Sequence, residues 1–185
     1  MAWRPIDLEQ NLWLRCRDLG ERIVRGYENG RSERSRAVST HGAQADPFLQ
    51  AQARAAECIF ALTFGLDPDS VFHDSHLAYD FVIDSIRVDV KRTDTFGRYL
   101  IWPIGKNAIF DSKGFDALAL VKNDGPTGWV QGFIGKADFA RRKTIAVAGH
   151  KLDPGTWHVD QSLLGDDPAP AETGRVFCEE LRAWL

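Results

Sequence analysis

An α/β sandwich on a central mixed β-sheet, flanked by helices and carrying an extra N-terminal helix, is predicted by three observations. Two helical periods fill the first third of the chain, segments of period two follow from Leu77, and mixed shorter elements close it. The 185 residues, 44% hydrophobic and 26% charged, suffice for one well-buried core and are few for two independent domains. We divide them into residues 1–45, a helix and polar connector packed on or tethered to the core, and residues 46–185, the α/β core itself.

Leu8, Leu12, Cys16, Leu19, Ile23 and Tyr27 recur at steps of three or four, the apolar stripe of an amphipathic helix. The next segment, GRSERSRAVSTHGAQ, is polar, carries three arginines and has no apolar period. It is read as a connector, with an arm touching phosphate as the alternative. Asp46-Pro47 supplies an N-cap and a first-turn proline, and Gly65 with Asp67-Pro68 supplies a stop, so a second helix lies between them. Leu49, Ala53, Ala56, Phe60 and Phe64 form its stripe, and Glu57 adjoins that stripe. A carboxylate at the edge of a buried face needs a partner.

Strands are expected at 77–83, 86–93, 98–104, 115–122 and 128–134. Lys136 to Arg142 reads as a short helix, "GTWHVD" as an edge strand, and Thr173 to Leu185 as a closing helix. Trp102, Trp129 and Trp157 fall in strand-like segments and are read as core.

Several function classes lose support. No run approaches 18 apolar residues and the N-terminus has no apolar signal region, so the chain is read as soluble and cytoplasmic, without a membrane partner. Cys16, Cys58 and Cys178 are odd in number and widely spaced, which suits buried thiols better than disulfides or zinc. The net charge is −3, yet residues 87–151 hold twelve Lys or Arg against six Asp or Glu. A basic face on an acidic protein is therefore available.

The stretch DFVIDSIRVDVK, Asp80 to Lys91, alternates apolar and polar residues on both sides of Asp84-Ser85, as a hairpin does. In that register Phe81, Ile83, Ile86, Val88 and Val90, with Tyr79, share one face, and Asp80 stands opposite Asp89 on the other. Opposed side chains lie about 4.5–5.5 Å apart at Cβ, and like charges there destabilise a sheet. Lys91 projects from the same face as Asp89 and neutralises part of the charge. A divalent cation such as Mg²⁺, which is held by one or two carboxylates and keeps several waters, compensates the rest. A solvated surface cluster is the alternative.

Asp80, eight intervening residues, then Asp89-Val90-Lys91, preceded by a helix bearing Glu57, resembles the PD-(D/E)XK nuclease superfamily. "DALALV" from Asp116 and "GWVQGFIGKADF" from Gly128 are similar to later core strands and a short helix of that superfamily. Tyr79 stands where proline is usual, and Asp89 where glutamate is the commoner choice. The resemblance covers roughly residues 46–140 and implies a restriction-endonuclease-like fold. It further implies Mg²⁺, with Mn²⁺ as a substitute, held by Asp80, Asp89 and the Val90 carbonyl. Glu57 would orient a water or help hold a second ion, and Lys91 would stabilise charge developing on phosphate. The implied activity is a metal-dependent deoxyribonuclease, with a structure-selective endonuclease or resolvase among the subclasses.

DNA is the expected partner, RNA stays open, and a homodimer suits two-strand cleavage. Arg87, Arg92, Arg98, Lys106 and Lys113 are the candidates for phosphate contacts, each with a solvated surface role as the alternative. A non-catalytic module that binds nucleic acid or protein with a nuclease-like fold is the rival reading; a small-molecule phosphodiesterase is a third. His73-Asp74-Ser75-His76 offers weak metal spacing, and neither a phosphate-binding G-x-x-x-x-G-K-[ST] loop nor a G-x-S-x-G elbow is present.

Overall fold

The computed structural model describes residues 3–28, 46–72, 79–102 and 104–166. The polar connector, residues 73–78, and the closing helix with Cys178 lie outside the described residues. The elements run β1 (Ile6–Asp7), α1 (Gln10–Glu28), α2 (Pro47–Thr63), β2 (Phe81–Ile83), β3 (Ile86–Thr93) and β4 (Tyr99–Trp102). They continue with β5 (Ala117–Asp124), β6 (Thr127–Gly135), α3 (Lys136–Arg142), β7 (Thr144–Ile145) and β8 (Trp157–Asp160). Short 3-10 turns occupy Pro68–Phe72, Ile104–Ile109 and Gln161–Leu163.

Asp46 caps α2 through its side chain, which accepts the Phe48 N–H at 2.8 Å, and Pro47 fills the first turn where no N–H is needed. The expected single stripe is too narrow a description of this helix. Every residue from Ala55 to Ala61 is buried, because α1 covers one side of α2 and the sheet covers another. Glu57 therefore lies inside the buried run and not at its margin. The helices approach closely at Gly20, where a Cβ would stand 2.5 Å from the Pro47 carbonyl oxygen. Cys16 and Cys58 meet across this junction as buried free thiols, Sγ to Sγ 3.8 Å.

The main sheet is mixed, in the order β1-β6-β5-β3-β2, with β3 and β5 parallel and the other neighbours antiparallel. β5 is apolar on both faces, as a strand covered on both sides must be. Val88, Val90, Ala119 and Val121 face α2 and pack with Phe60, Phe64 and Phe81. Leu118 and Leu120 face the other way, onto Leu100, Trp102, Phe110 and Phe115. A second, antiparallel sheet has the order β4-β8-β7, so "GTWHVD" supplies a central strand, not the expected edge strand. β1 is too short to show a period in the sequence; it pairs with β6 and ties the N-terminal segment to the sheet.

The hairpin turns at Asp84 and Ser85, both with positive φ (46° and 70°), as a two-residue turn matching strand twist requires. Its first strand is shorter than predicted. β2 starts at Phe81, while Tyr79 and Asp80 form a bend, and Tyr79 packs on the cluster around Trp102 instead of beside Phe81. Among the described residues no helix is long and apolar enough to cross a membrane.

Candidate active site

Because β2 stops at Phe81, the β2 side of β3 is uncovered beyond Val88, and its backbone groups there need other partners. Asp80 supplies one. Its own N–H donates to the Val88 carbonyl at 2.9 Å, and its Oδ2 accepts the Val90 N–H at 2.6 Å. The expected cross-strand pairing of Asp80 with Asp89 is thus replaced: the chain bends, and the Asp80 carboxylate caps the open edge. The Val90 carbonyl belongs to the same residue as that N–H and faces the same open side, by the alternation of a strand's backbone groups.

Asp89 and Lys91 lie opposite Leu118 and Leu120 of β5, on the sheet face that carries Trp102. Asp89 is only 2% exposed. Lys91 sits against its Oδ2 as an ion pair, outside directed hydrogen-bond geometry, and Lys113 donates to its Oδ1. Burial alone would push the Asp89 pKa up; the attraction of Lys91 and Lys113 outweighs burial and holds it below the usual carboxylate range. Both ammonium groups also stand over the indole of Trp102, at 5.2 and 5.5 Å from its centroid. Trp102 is therefore both core, as its pattern suggests, and the floor of the charged site.

Glu57 reaches the site from α2. It is 8% exposed, and its Oε2 accepts from Arg54 at 2.6 Å, one turn earlier on the helix. Burial pushes its pKa up to about 8, with Asp80 and Asp89 adding to the rise and Arg54 and Lys91 opposing it. Asp80 is also raised, by burial first and then by Asp89, against Lys91 and the Val90 N–H. Asp80 counts as exposed by residue surface, yet the neighbouring charge of Asp89 acts in that direction whatever the exposure. Three parts of the chain thus bring Glu57, Asp80, Asp89 and Lys91 within mutual electrostatic reach.

The five basic candidates divide into two groups. Arg87 forms a two-pronged pair with Asp116 at 2.8 and 2.7 Å, and its backbone N–H adds a third bond to that carboxylate. Arg92 donates to the side chain and carbonyl of Asn123 at 3.0 and 3.1 Å, and Asn123 in turn donates to the Gln52 carbonyl. Arg98 pairs with Asp160. These three arginines hold elements together. Lys106 and Lys113 stand beside the acids: burial first, then the charges of Lys91 and Lys113, holds the Lys106 pKa down. Lys106 keeps an exposed surface, and the two lysine charges act in that direction regardless.

Arg54 and Lys136 are site residues that the sequence reading does not single out. Arg54 has a usable signal, the i to i+3 spacing from Glu57 on one helix face. Lys136 has none, since it acts on distant main chain, donating to the carbonyls of Asp111 and Lys113 at 2.8 and 2.6 Å.

Among the described residues no three His, Cys, Asp or Glu side chains form a ready metal cage. The donors present suit a hard ion that keeps most of its water, as Mg²⁺ does, more than a fully protein-ligated one. Glu57 and Asp80, whose pKa values burial and Asp89 raise, have their ionised forms stabilised by any cation that joins them. The carboxylates such an ion would draw on are Asp80, with one oxygen on the Val90 N–H, and Asp89, with an ammonium against each oxygen. No protein-family model, curated protein or solved structure matches the chain.

Proposed function

We propose that the chain is a divalent-metal-dependent deoxyribonuclease with a restriction-endonuclease-like core. The observation that carries this reading is the meeting of Glu57, Asp80, Asp89 and Lys91 at the uncovered edge of β3. An acid cluster beside a lysine, on a strand edge that other backbone does not cover, is the arrangement a metal-assisted phosphodiester hydrolysis uses. Asp80 and Asp89, with the Val90 carbonyl, hold the ion. When bound, it polarises a phosphoryl oxygen and lowers the pKa of water. Lys91 stabilises negative charge developing on the phosphoryl group, and its place above Trp102 keeps its ammonium from drifting into solvent. Glu57, held by Arg54, orients the attacking water or helps to hold a second ion. Lys106 and Lys113 add positive charge where an anionic backbone approaches.

The double ion pair on Asp89 favours a second reading, a non-catalytic nucleic-acid- or protein-binding module in which the acid serves only to neutralise lysines. One experiment separates the two. Linear, circular, single-stranded, flapped and four-way-junction DNAs, with an RNA control, are incubated with Mg²⁺ or Mn²⁺, alongside EDTA, Asp89→Asn and Lys91→Ala controls. The nuclease reading expects cleavage that disappears in all three controls while both variants keep the parent's circular dichroism. Undiminished cleavage by Lys91→Ala, or no cleavage of any substrate, refutes it. A solution mass of the DNA-bound protein reports whether a dimer is the working unit.

A further inference from the structure

Lys113 is placed with more care than a surface phosphate contact needs. It lies 24 residues from Asp89 in sequence, in the segment between the Ile104–Ile109 turn and β5. Its main chain is pinned on both sides: the N–H donates to the Ile109 carbonyl at 2.9 Å, and the carbonyl accepts from the Phe115 N–H at 3.0 Å. Lys136 closes the same carbonyl at 2.6 Å and rests over the Phe115 ring at 4.8 Å. The Lys113 side chain is 20% exposed, and its ammonium lies 5.5 and 5.8 Å from the centroids of Trp102 and Phe115. Backbone, aromatic floor and a second lysine all aim this ammonium at Oδ1 of Asp89.

Asp89 then has an ammonium on each oxygen. The two ammonium charges already neutralise Asp89 and repel an incoming divalent ion, so the ion gains most where one ammonium withdraws. Lys91 and Asp89 are alternate residues of one strand face, which keeps them adjacent whatever else moves. Lys113 has no such constraint, and the aromatic shelf beneath it receives its ammonium when Oδ1 is taken. We propose that Lys113 is a latch on the candidate cation position: it occupies Asp89 Oδ1 in the metal-free protein and sets the apparent affinity for the divalent ion by competing with it. This inference rests on the metal-site reading above. Lys113 is a positioning residue in this scheme, since it acts through Asp89.

Removing a competitor raises apparent affinity by the factor the competitor had withheld. A charge-assisted hydrogen bond to a buried carboxylate corresponds to about a 10- to 100-fold effect. Deleting any nearby positive charge also strengthens cation binding, so the control is Lys106→Met, which removes a charge from the same corner. The test measures Mn²⁺ binding to the full chain by isothermal titration and by loss of the free-ion paramagnetic resonance signal, without nucleic acid. Lys113→Met is expected to bind Mn²⁺ at least about 10-fold tighter than the parent, and Lys106→Met no more than about 3-fold tighter. Lys113→Arg, which restores a cation, is expected to return close to the parent.

Lys113→Gln keeps a donor to Oδ1 without the charge. It gives an intermediate gain and serves in place of Lys113→Met if that variant fails to fold. Equal gains in Lys113→Met and Lys106→Met, or no gain in Lys113→Met and Lys113→Gln, overturn the latch while leaving the metal site standing. Absence of Mn²⁺ binding by parent and variants alike overturns the metal site and the latch together.

Discussion

Replacing Glu57 with glutamine changes the pH dependence of stability in a way that only a buried, protonated carboxylate predicts. Burial pushes Glu57 up to about 8 from an ordinary 4.5, so between those values the folded protein holds a proton that the unfolded chain has released. Folded protein that binds more protons than unfolded protein loses stability as pH rises, by about 1.4 kcal/mol per pH unit for one group. The loss begins near the unfolded value and is complete above the folded one, on the order of 5 kcal/mol across the window, of which about 4 kcal/mol falls above pH 5. In the Glu57→Gln variant the amide keeps an oxygen to accept from Arg54 and has no proton to lose. The assay is urea unfolding of the metal-free protein in EDTA, from pH 5 to pH 9, followed by the fluorescence of its six tryptophans. At pH 5 the two proteins should lie within about 1 kcal/mol of each other, and by pH 9 the variant should be more stable by about 4 kcal/mol. Asp80 is raised in both and largely cancels in the difference. Parallel stability curves over that range would show that Glu57 stays ionised beside Arg54, and the argument from burial would fail.

Gly20→Ala adds a methyl group into the Pro47 carbonyl at the crossing of α1 and α2. Overpacking of this kind costs about 1–3 kcal/mol, against a gain of about 1 kcal/mol in helix propensity, so a net loss in urea midpoint is expected. Arg87→Ala removes a half-exposed pair with Asp116 and should cost less than about 1 kcal/mol while leaving the salt dependence of DNA binding unchanged. If the chain binds DNA as proposed, Lys106→Ala should lower that salt slope by about one in a titration of affinity against ionic strength, because its charge lies beside Asp80 and Asp89.

How much of this is legible in the sequence depends on the range of the interaction. The bounds of β3 match the expected 86–93, and the turn at Asp84-Ser85 falls where the alternation breaks, because a strand's faces are fixed by neighbours two residues apart. β5 and β6 agree with expectation within about two residues for the same reason. Tyr79 departs from it because the alternation is extended past the point where the strand ends, and no local pattern marks a bend that is stabilised by a carboxylate capping Val90. β8 is legible as a strand but not in its place within the sheet, since its neighbours β4 and β7 come from separate parts of the chain.

The site shows the same division. Lys91 is bound to serve Asp89 by a separation of two residues on one strand, and the sequence displays that directly. Lys113 serves the same carboxylate from 24 residues away, brought there by backbone bonds to Ile109 and Phe115 and by a lysine on α3. In sequence it is one more cation in a basic half of the chain, indistinguishable from Arg87 or Arg98, which the fold engages with Asp116 and Asp160. Of five basic candidates, three are engaged in holding elements together, and only Lys106 and Lys113 stand where a phosphate entering the acid cluster would meet them. If the proposed reading holds, a substrate meets a central carboxylate that already carries two ammonium groups, and the order in which cation and phosphate arrive would be set by how readily Asp89 gives one of them up.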